Sequence, residues 1–386
     1  MKFVQHSCLA AWPPLALVSA VAGLTVPAFA QTNTDQKLEP VTVSASRFES
    51  TDAPISATVI TAQQIREAGI NNVNEAIRKI GGVFGRQNFS GTSDFSLDLR
   101  GFGSNSDQNV AIFVDGIRIS ENEQQPAMMS AIPIEAIERI EIVRGGSSVL
   151  YGDGGTGGTI QIITKRGKTD GTHGTAYVEA GNRGYQELRA ALSKGWDGFS
   201  MDANIGALHA DNYRDNNQLQ QGNFSGGLQW TSQDVRVGFR VDAAREDFHF
   251  PGSLTLSEYR QNPRQTETPF DKGSLDSNRY TFFINQRHGD LEFATDFSYR
   301  EKTSIGEFVS SDFFSNAKSS VTQLSPRIKY KSAIGSISND VVAGMDFSNS
   351  NRFTQSLSGG FASSQRATQN SAAFYLRDEI LYGGAR

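Results

Sequence analysis

Five histidines, a single cysteine and a few runs of carboxylates and guanidinium groups are the residues from which this 386-residue chain could build chemistry. The histidines are scattered, with no i, i+4 pair and no metal-ligand spacing. Ser147 and Ser148 come after glycines but sit in no G-x-S-x-G nucleophile elbow. Gly152-Asp153-Gly154-Gly155-Thr156-Gly157 fits G-x-G-x-x-G, yet a dinucleotide site needs a helix N-terminus directly afterwards to hold the pyrophosphate. The next residues are Thr159-Ile160-Gln161-Ile162-Ile163, a β-branched run that reads as a strand. Glu135, Glu138 and Glu141 lie close in sequence to Arg139 and Arg144, with Arg100 further upstream; they read as a solvated face or as interface ion pairs. No catalytic residue, metal or cofactor is expected, and no enzyme.

The elements around these residues change character along the chain. Thr61 with Gln64, and Asn72 with Glu75, each start a short helix by capping, the first stopped at Gly69 and the second at Gly81. Ser96 to Arg100 and Val110 to Val114 read as strands, and Asp115-Gly116 as a turn into Ile117–Ile119. Pro133 suits a helix start, and Ile134, Ile137 and Ile140 repeat at about one helical turn. Ile140 to Val143 then reads as a strand, Gly145 to Gly158 as a glycine-rich corner, and Thr159 to Lys165 as a second strand. Beyond residue 170 the period becomes two. Val235, Val237, Phe239 and Val241 alternate with Arg236, Gly238, Arg240 and Asp242, and Leu291, Phe293, Thr295, Phe297 and Tyr299 alternate with polar or small residues.

About ten such strands are expected: near 174–181, 184–194, 198–210, 222–231, 234–245, 278–288, 290–302, 319–331, 338–349 and 369–381. Tight turns at 194–198, 232–234 and 288–290 alternate with long polar segments at 211–221, 246–277, 303–318 and 350–368. Short turns on one side and long loops on the other are the signature of an outer-membrane barrel. An arginine or lysine facing lipid at mid-bilayer would cost about 2–4 kcal/mol, so Arg236 and Arg240 mark the lumen face of their strand. Thr255 with Glu258 predicts a short helix inside the 246–277 loop.

Hydrophobic content is 38 %, low for a membrane protein unless only alternate residues face lipid. Residues 1–30 read as a secretory signal: Lys2, an apolar stretch from Leu9 to Val26, and the small-x-small site Ala28-Phe29-Ala30 before Gln31. Without them the chain has 35 basic against 41 acidic residues, a net −6, with no basic stripe to suggest nucleic acid. The cysteine, Cys8, lies in that segment, so disulfides and thiolate chemistry are excluded from the mature chain. Leu38-Glu39-Pro40-Val41-Thr42-Val43-Ser44-Ala45 alternates as one short strand with no neighbour in sequence. It is either the first strand of the next domain or a tethered strand able to add to another protein's sheet.

Leu99-Arg100-Gly101-Phe102-Gly103, Ile112-Phe113-Val114-Asp115-Gly116-Ile117-Arg118, Ile137-Glu138-Arg139-Ile140-Glu141-Ile142-Val143-Arg144-Gly145 and Leu150-Tyr151-Gly152 resemble, in this order, the plug domain of TonB-dependent outer-membrane receptors. Gly146-Ser147 departs from the proline that many members carry there. The resemblance covers Leu38 to Lys165 closely and the remainder as a pattern. It implies a mainly β fold: a signal peptide (1–30), a periplasmic tether (31–50) with a TonB box at 38–45, a small α+β plug (51–167), and a transmembrane antiparallel β-barrel from 168 onward. The complete family barrel has about 22 strands around a plugged lumen, so the chain is expected to be the N-terminal part of a longer protein. Seven residues between Ala30 and Leu38 leave no room for the extra signalling domain of some members.

The resemblance also implies partners and sites. Leu38, Glu39, Pro40, Val41, Thr42, Val43, Ser44 and Ala45 would engage TonB and, through it, the inner-membrane energising complex. The family's topology places ligand-contacting loops at the plug apex, with Arg86, Asn88, Phe89, Asn105, Gln108, Glu121 and Asn122 as candidates. Arg100, Glu138, Arg139, Glu141 and Arg144 are candidates for ion pairs between plug and barrel. The segment 251–264 is similar to segments of several ferric-siderophore receptors. The implied activity is energised uptake of an iron–siderophore complex, with cobalamin or haem as alternatives. Outer-membrane lipid would surround the barrel. A passive porin or adhesin would share the barrel pattern but would need neither the 38–45 strand nor a separate plug.

Overall fold

The computed structural model describes residues 57–85, 92–120, 126–145, 154–165, 167, 171–335 and 337–382. The TonB-box strand at 38–45, the signal segment, and Arg86, Asn88, Phe89, Glu121 and Asn122 lie outside the described residues.

The first part is a small α+β domain. Strand β1 (Ala57–Thr61) runs into helix α1 (Ala62–Glu67), and α2 (Val73–Lys79) comes next. The capping box is formed at Thr61, whose N–H reaches Gln64 Oε1 at 2.9 Å, and Asn72 Oδ1 accepts the Glu75 N–H at 2.8 Å. Short strands β2 (Phe84–Gly85) and β3 (Leu97–Asp98) pair with each other, so the expected 96–100 strand shrinks to two residues. Asp98 explains the shortening. Its carboxylate accepts the backbone N–H groups of Arg100, Gly101, Phe102 and Gly103, which curls the chain off the strand. Burial opposes ionisation of Asp98, but these four donors outweigh it and hold the carboxyl below its ordinary pKa.

Helix α3 (Ser106–Asn109) leads into β4 (Val110–Val114), and β5 (Ile117–Arg118) returns after a turn in which Asp115 and Gly116 both have positive φ. A 3-10 turn at Ile134–Ala136 precedes β6 (Ile137–Arg144), and β7 (Gly158–Thr164) completes the sheet. The isoleucine repeat therefore marks one 3-10 turn, and the strand begins at Ile137 rather than Ile140. Ile137 already pairs with Thr164 of β7, and this long-range ladder takes the residue out of the helical turn.

The sheet order is β1-β6-β7-β4-β5, with β4 and β7 parallel and the other pairs antiparallel. Its core is a cluster of isoleucines: Ile60, Ile77, Ile137, Ile140, Ile142, Ile160 and Ile162 are fully buried. Gly158 opens β7 at φ +144°, and a Cβ there would stand 2.2 Å from the Val143 carbonyl oxygen, so no other residue fits.

The second part is one antiparallel sheet of ten strands in sequence order. They are β8 (Gly171–Ala180), β9 (Gln186–Trp196), β10 (Phe199–Ala210), β11 (Leu219–Thr231), β12 (Val235–His249), β13 (Lys272–His288), β14 (Leu291–Phe308), β15 (Phe313–Ile334), β16 (Ile337–Ser358) and β17 (Phe361–Tyr382). Along one row, Met201, Leu228, Phe239, Phe282, Phe297, Leu324 and Phe347 stand side by side on seven successive strands, all exposed. One residue further on, Asp202, Gly227, Arg240, Thr281, Ser298, Gln323 and Ser348 form the row on the opposite face. Arg240 pairs there with Asp202 at 2.7 Å. A sheet that shows its aromatic row outward and its ionic row inward is a barrel wall built for lipid. Among the described residues no helix is long and apolar enough to cross a membrane, which says nothing against crossing by strands.

Two expected loops are strand instead. Residues 303–308 and 313–318 extend β14 and β15, and 350–358 and 361–368 extend β16 and β17, leaving connections of four residues and two. These segments are rich in Ser, Thr and Asn and lack an apolar alternation, so their sequence reads as loop. The ladder of the preceding strand pairs simply continues through them, from Thr303–Lys318 to Phe308–Phe313 and from Ser350–Gln369 to Ser358–Phe361. The connection between β12 and β13 does remain long, and helix α4 (Leu256–Gln261) sits in it with the Thr255–Glu258 capping box formed.

Candidate functional site

The candidate site is the boundary between the small domain and the inner face of the sheet. It is built mainly of neutral hydrogen bonds. Asn71, at the end of α1's exit loop, donates to the Tyr185 hydroxyl at 2.7 Å. Ser93 donates its hydroxyl to Gln221 of β11 at 2.7 Å and its N–H to Glu246 of β12 at 3.0 Å. The Ser130 carbonyl accepts Asn223 at 2.8 Å and Gln221 at 3.2 Å. On the other flank Arg300 of β14 donates to the Ile119 carbonyl and Gln323 of β15 to the Arg118 carbonyl. The small domain thus touches the wall mainly through its irregular segments, with the Arg118 carbonyl at the end of β5 the exception.

An ion pair across this boundary is Glu135 with Arg189 of β9, at 3.0 Å. Lys165, the residue just after β7, donates to the Glu135 carbonyl at 2.8 Å and ties the same spot to the exit of the domain. The sequence grouped Glu135 with Glu138, Glu141, Arg139 and Arg144 as possible interface pairs, and the pairs these others make lie within the small domain. Arg139 pairs with Glu138 and with Glu141 at 2.8 Å, both on its own strand. Arg144 bonds Thr58 and the Gly81 carbonyl, again inside the small domain. Glu138 and Glu141 lie one and two residues from Arg139 on the same strand, within its reach. Glu135 lies before the strand, on the 3-10 turn that packs against the wall. The guanidinium of Arg100 lies beside Gly145 and is exposed.

Of the apex candidates, Asn105 and Gln108 are described and both are exposed, on the 3-10 turn Gly103–Asn105 and on α3. They lie at the Val110–Gly158 end of the parallel β4–β7 pair, the end opposite Lys165, where the chain leaves for the wall. Two cavities of about 30 Å³ each lie between domain and wall. One is lined by Arg279, Arg300, Lys302, Ile119 and Met128, the other by Asn71, Ser93, Glu187, Arg189 and Asn223. Neither has room for an organic chelate.

Sequence reasoning missed Ser93, Asp94, Ser130, Arg189, Gln221, Asn223 and Glu246. Asp94 is buried, and burial pushes its carboxyl up to about 6 against the hydrogen bonds that Ser130 and Met129 give it. The available signal was parity: Glu246 falls on the same face of β12 as Asp242, the inward one.

Residues 49–159 match the model of the TonB-dependent Receptor Plug Domain. That match assigns the small domain. It is the plug domain of a TonB-dependent receptor. Within the receptor, 180 residues (46 % of the chain) are 38 % identical to the vitamin B12 transporter BtuB of Vibrio cholerae, of which they span 29 %. The fold is similar to that of the ferric citrate transporter FecA in its unliganded form, with a TM-score of 0.75 at 17 % identity, covering 86 % of this chain and 54 % of that one. It is also similar to the ferric yersiniabactin uptake receptor FyuA of Yersinia pestis, with a TM-score of 0.63 at 15 % identity, covering 85 % and 62 %. The receptor chain described here spans about half the length of the solved relatives. In receptor terms, the small domain is the plug and the ten strands are part of the barrel.

Proposed function

We propose that the receptor carries a scarce extracellular ligand across the outer membrane in a TonB-dependent manner, with an iron–siderophore complex as the leading substrate class. The observation that carries this reading is the plug–wall boundary. It is held by separate hydrogen bonds from irregular plug segments, together with the Glu135–Arg189 ion pair. Such a contact can be rearranged without dismantling the plug's isoleucine core, as a gate must be. Ligand binding at the outer end of the plug, near Asn105 and Gln108, would favour a state in which residues 38–45 are available in the periplasm. TonB would then add a strand to that segment and pull, using inner-membrane energy. No bond of the ligand is made or broken.

Cobalamin is the second reading, supported by the sequence likeness to a vitamin B12 transporter. Both readings meet one experiment. Cells carrying the full-length receptor take up labelled ferric siderophores, cobalamin and haem in a panel, with and without Val41→Pro. Proline removes the N–H that an added strand must donate. Uptake of one ligand, abolished in the variant while surface binding is retained, is the expected result and names the substrate. Uptake indifferent to the substitution would move the receptor to a passive channel.

A further inference from the structure

Two carboxylates meet at one serine on the plug–wall boundary. Asp94 belongs to the plug and Glu246 to β12, and both are buried. Asp94 takes both donors of Ser130, the N–H on Oδ1 at 2.9 Å and the hydroxyl on Oδ2 at 2.6 Å. Glu246 takes the Ser93 N–H on Oε1 at 3.0 Å, and its Oε2 lies 3.5 Å from the same Ser130 hydroxyl oxygen. A hydroxyl has one hydrogen to give. The shorter contact claims it for Asp94, which leaves Oε2 of Glu246 facing a lone pair. Two acceptors set against each other in a buried site repel unless one of them carries a proton. A proton on Glu246 Oε2 completes the chain: Glu246 donates to Ser130, and Ser130 donates to Asp94.

We propose that Glu246 and Asp94 share one proton through Ser130, and that this proton latches the plug segments 92–95 and 129–131 to the barrel wall. The surroundings supply little positive charge that would make two ionised carboxylates comfortable. From the plug come Ser93, Ser130 and Asn74, all neutral; β11 presents Gln221 and Asn223. On β12 itself Asp247 adds a negative charge, and Arg245 is bonded to it. Arg279 of β13 is engaged by Asp242 at 2.8 Å. Lys302 of β14 is the cation acting on Asp94, and its effect is smaller than that of burial and of the Ser130 and Met129 hydrogen bonds. The raised pKa of Asp94 agrees with a site that keeps a proton which free carboxyls would lose. In the pH range where the latched state binds more protons than the released one, rising pH therefore weakens the attachment. The latch is independent of which ligand the receptor carries, so it stands or falls separately from the transport reading.

The test uses the full-length receptor in lipid, without ligand. Infrared titration should show the carbonyl stretch of a buried protonated carboxyl at neutral pH, lost in Glu246→Gln and in Asp94→Asn. Hydrogen exchange of the Ser93 and Ser130 amides, normalised to the unstructured rate at each pH, should rise about tenfold between about pH 6 and about pH 9. In Glu246→Gln, whose amide still donates to Ser130, this rise should vanish. Asp94→Asn also removes it, and serves if the barrel variant fails to insert. Absence of a protonated carboxyl at neutral pH, or an unchanged slope in either variant, overturns the proposal. So does recovery of protection at high pH on adding calcium alone, since the carboxylates would then hold a cation rather than a proton.

Discussion

On β6 of the plug, Ile140, Glu141 and Ile142 are all fully buried, whereas on β14 of the wall Phe297 is 43 % exposed and the next residue, Ser298, only 2 %. Both strands are paired on either side along their length. The difference lies in what covers their faces. The plug strand is covered by protein on both faces from Ile140 to Ile142, so successive residues are buried there and the alternation is lost, Glu141 being buried with Arg139 as its partner. The wall strand has lipid on one face and the plug's polar segments on the other, so it alternates, and its apolar residues point out. The two parts are therefore stabilised by opposite transfers: isoleucines leave water in the plug, and phenylalanines face hydrocarbon on the wall. Where the two meet, apolar residues such as Ile119, Met128, Ile134 and Leu208 line the gaps, and the directional contacts are made by serine, asparagine, glutamine and single charges.

This contrast can be broken by substitution. Ile160→Ala opens a cavity in the isoleucine cluster with no room for the sheet to collapse, and should cost the plug about 2–5 kcal/mol. Differential scanning calorimetry of the receptor should show the plug melting earlier with the barrel transition unmoved; a shift of the barrel alone would mean the two parts share a core. Phe297→Arg puts a cation on the lipid row and should cost about 2–4 kcal/mol of barrel stability, measured by urea refolding into vesicles. An indifferent result would place that row against protein. Asn72→Ala removes the cap of α2, one of the few plug features unrelated to burial, and should cost about 1 kcal/mol. The same calorimetry should register it in the plug transition only.

Local rules carried much of the architecture. The caps at Thr61, Asn72 and Thr255, the Asp115-Gly116 turn and the ten wall strands rest on contacts within a few residues or on a period of two. These signals survive without knowledge of the rest of the chain. The extensions of β14 to β17 rest on neighbouring strands that keep pairing where side chains no longer alternate. The shortened β3 results from Asp98 drawing four N–H groups to itself. Glu135 meets Arg189 from the 3-10 turn before the strand, while Glu138, already on β6, pairs with the adjacent Arg139.

Neighbouring residues along the chain were enough to specify most of the secondary structure, the split into a compact plug and a two-faced sheet, and the direction in which the strand carrying Arg236 and Arg240 faces. Those properties depend on periodicity and capping, which act over a few positions. Which plug residues touch the wall was settled by the folded arrangement alone. Ser93, Asp94 and Ser130 carry no pattern of their own, and their partners Gln221, Asn223 and Glu246 lie roughly a hundred or more residues away. A contact between irregular segments and a distant sheet face is set by how two rigid bodies fit, and no local spacing records that fit.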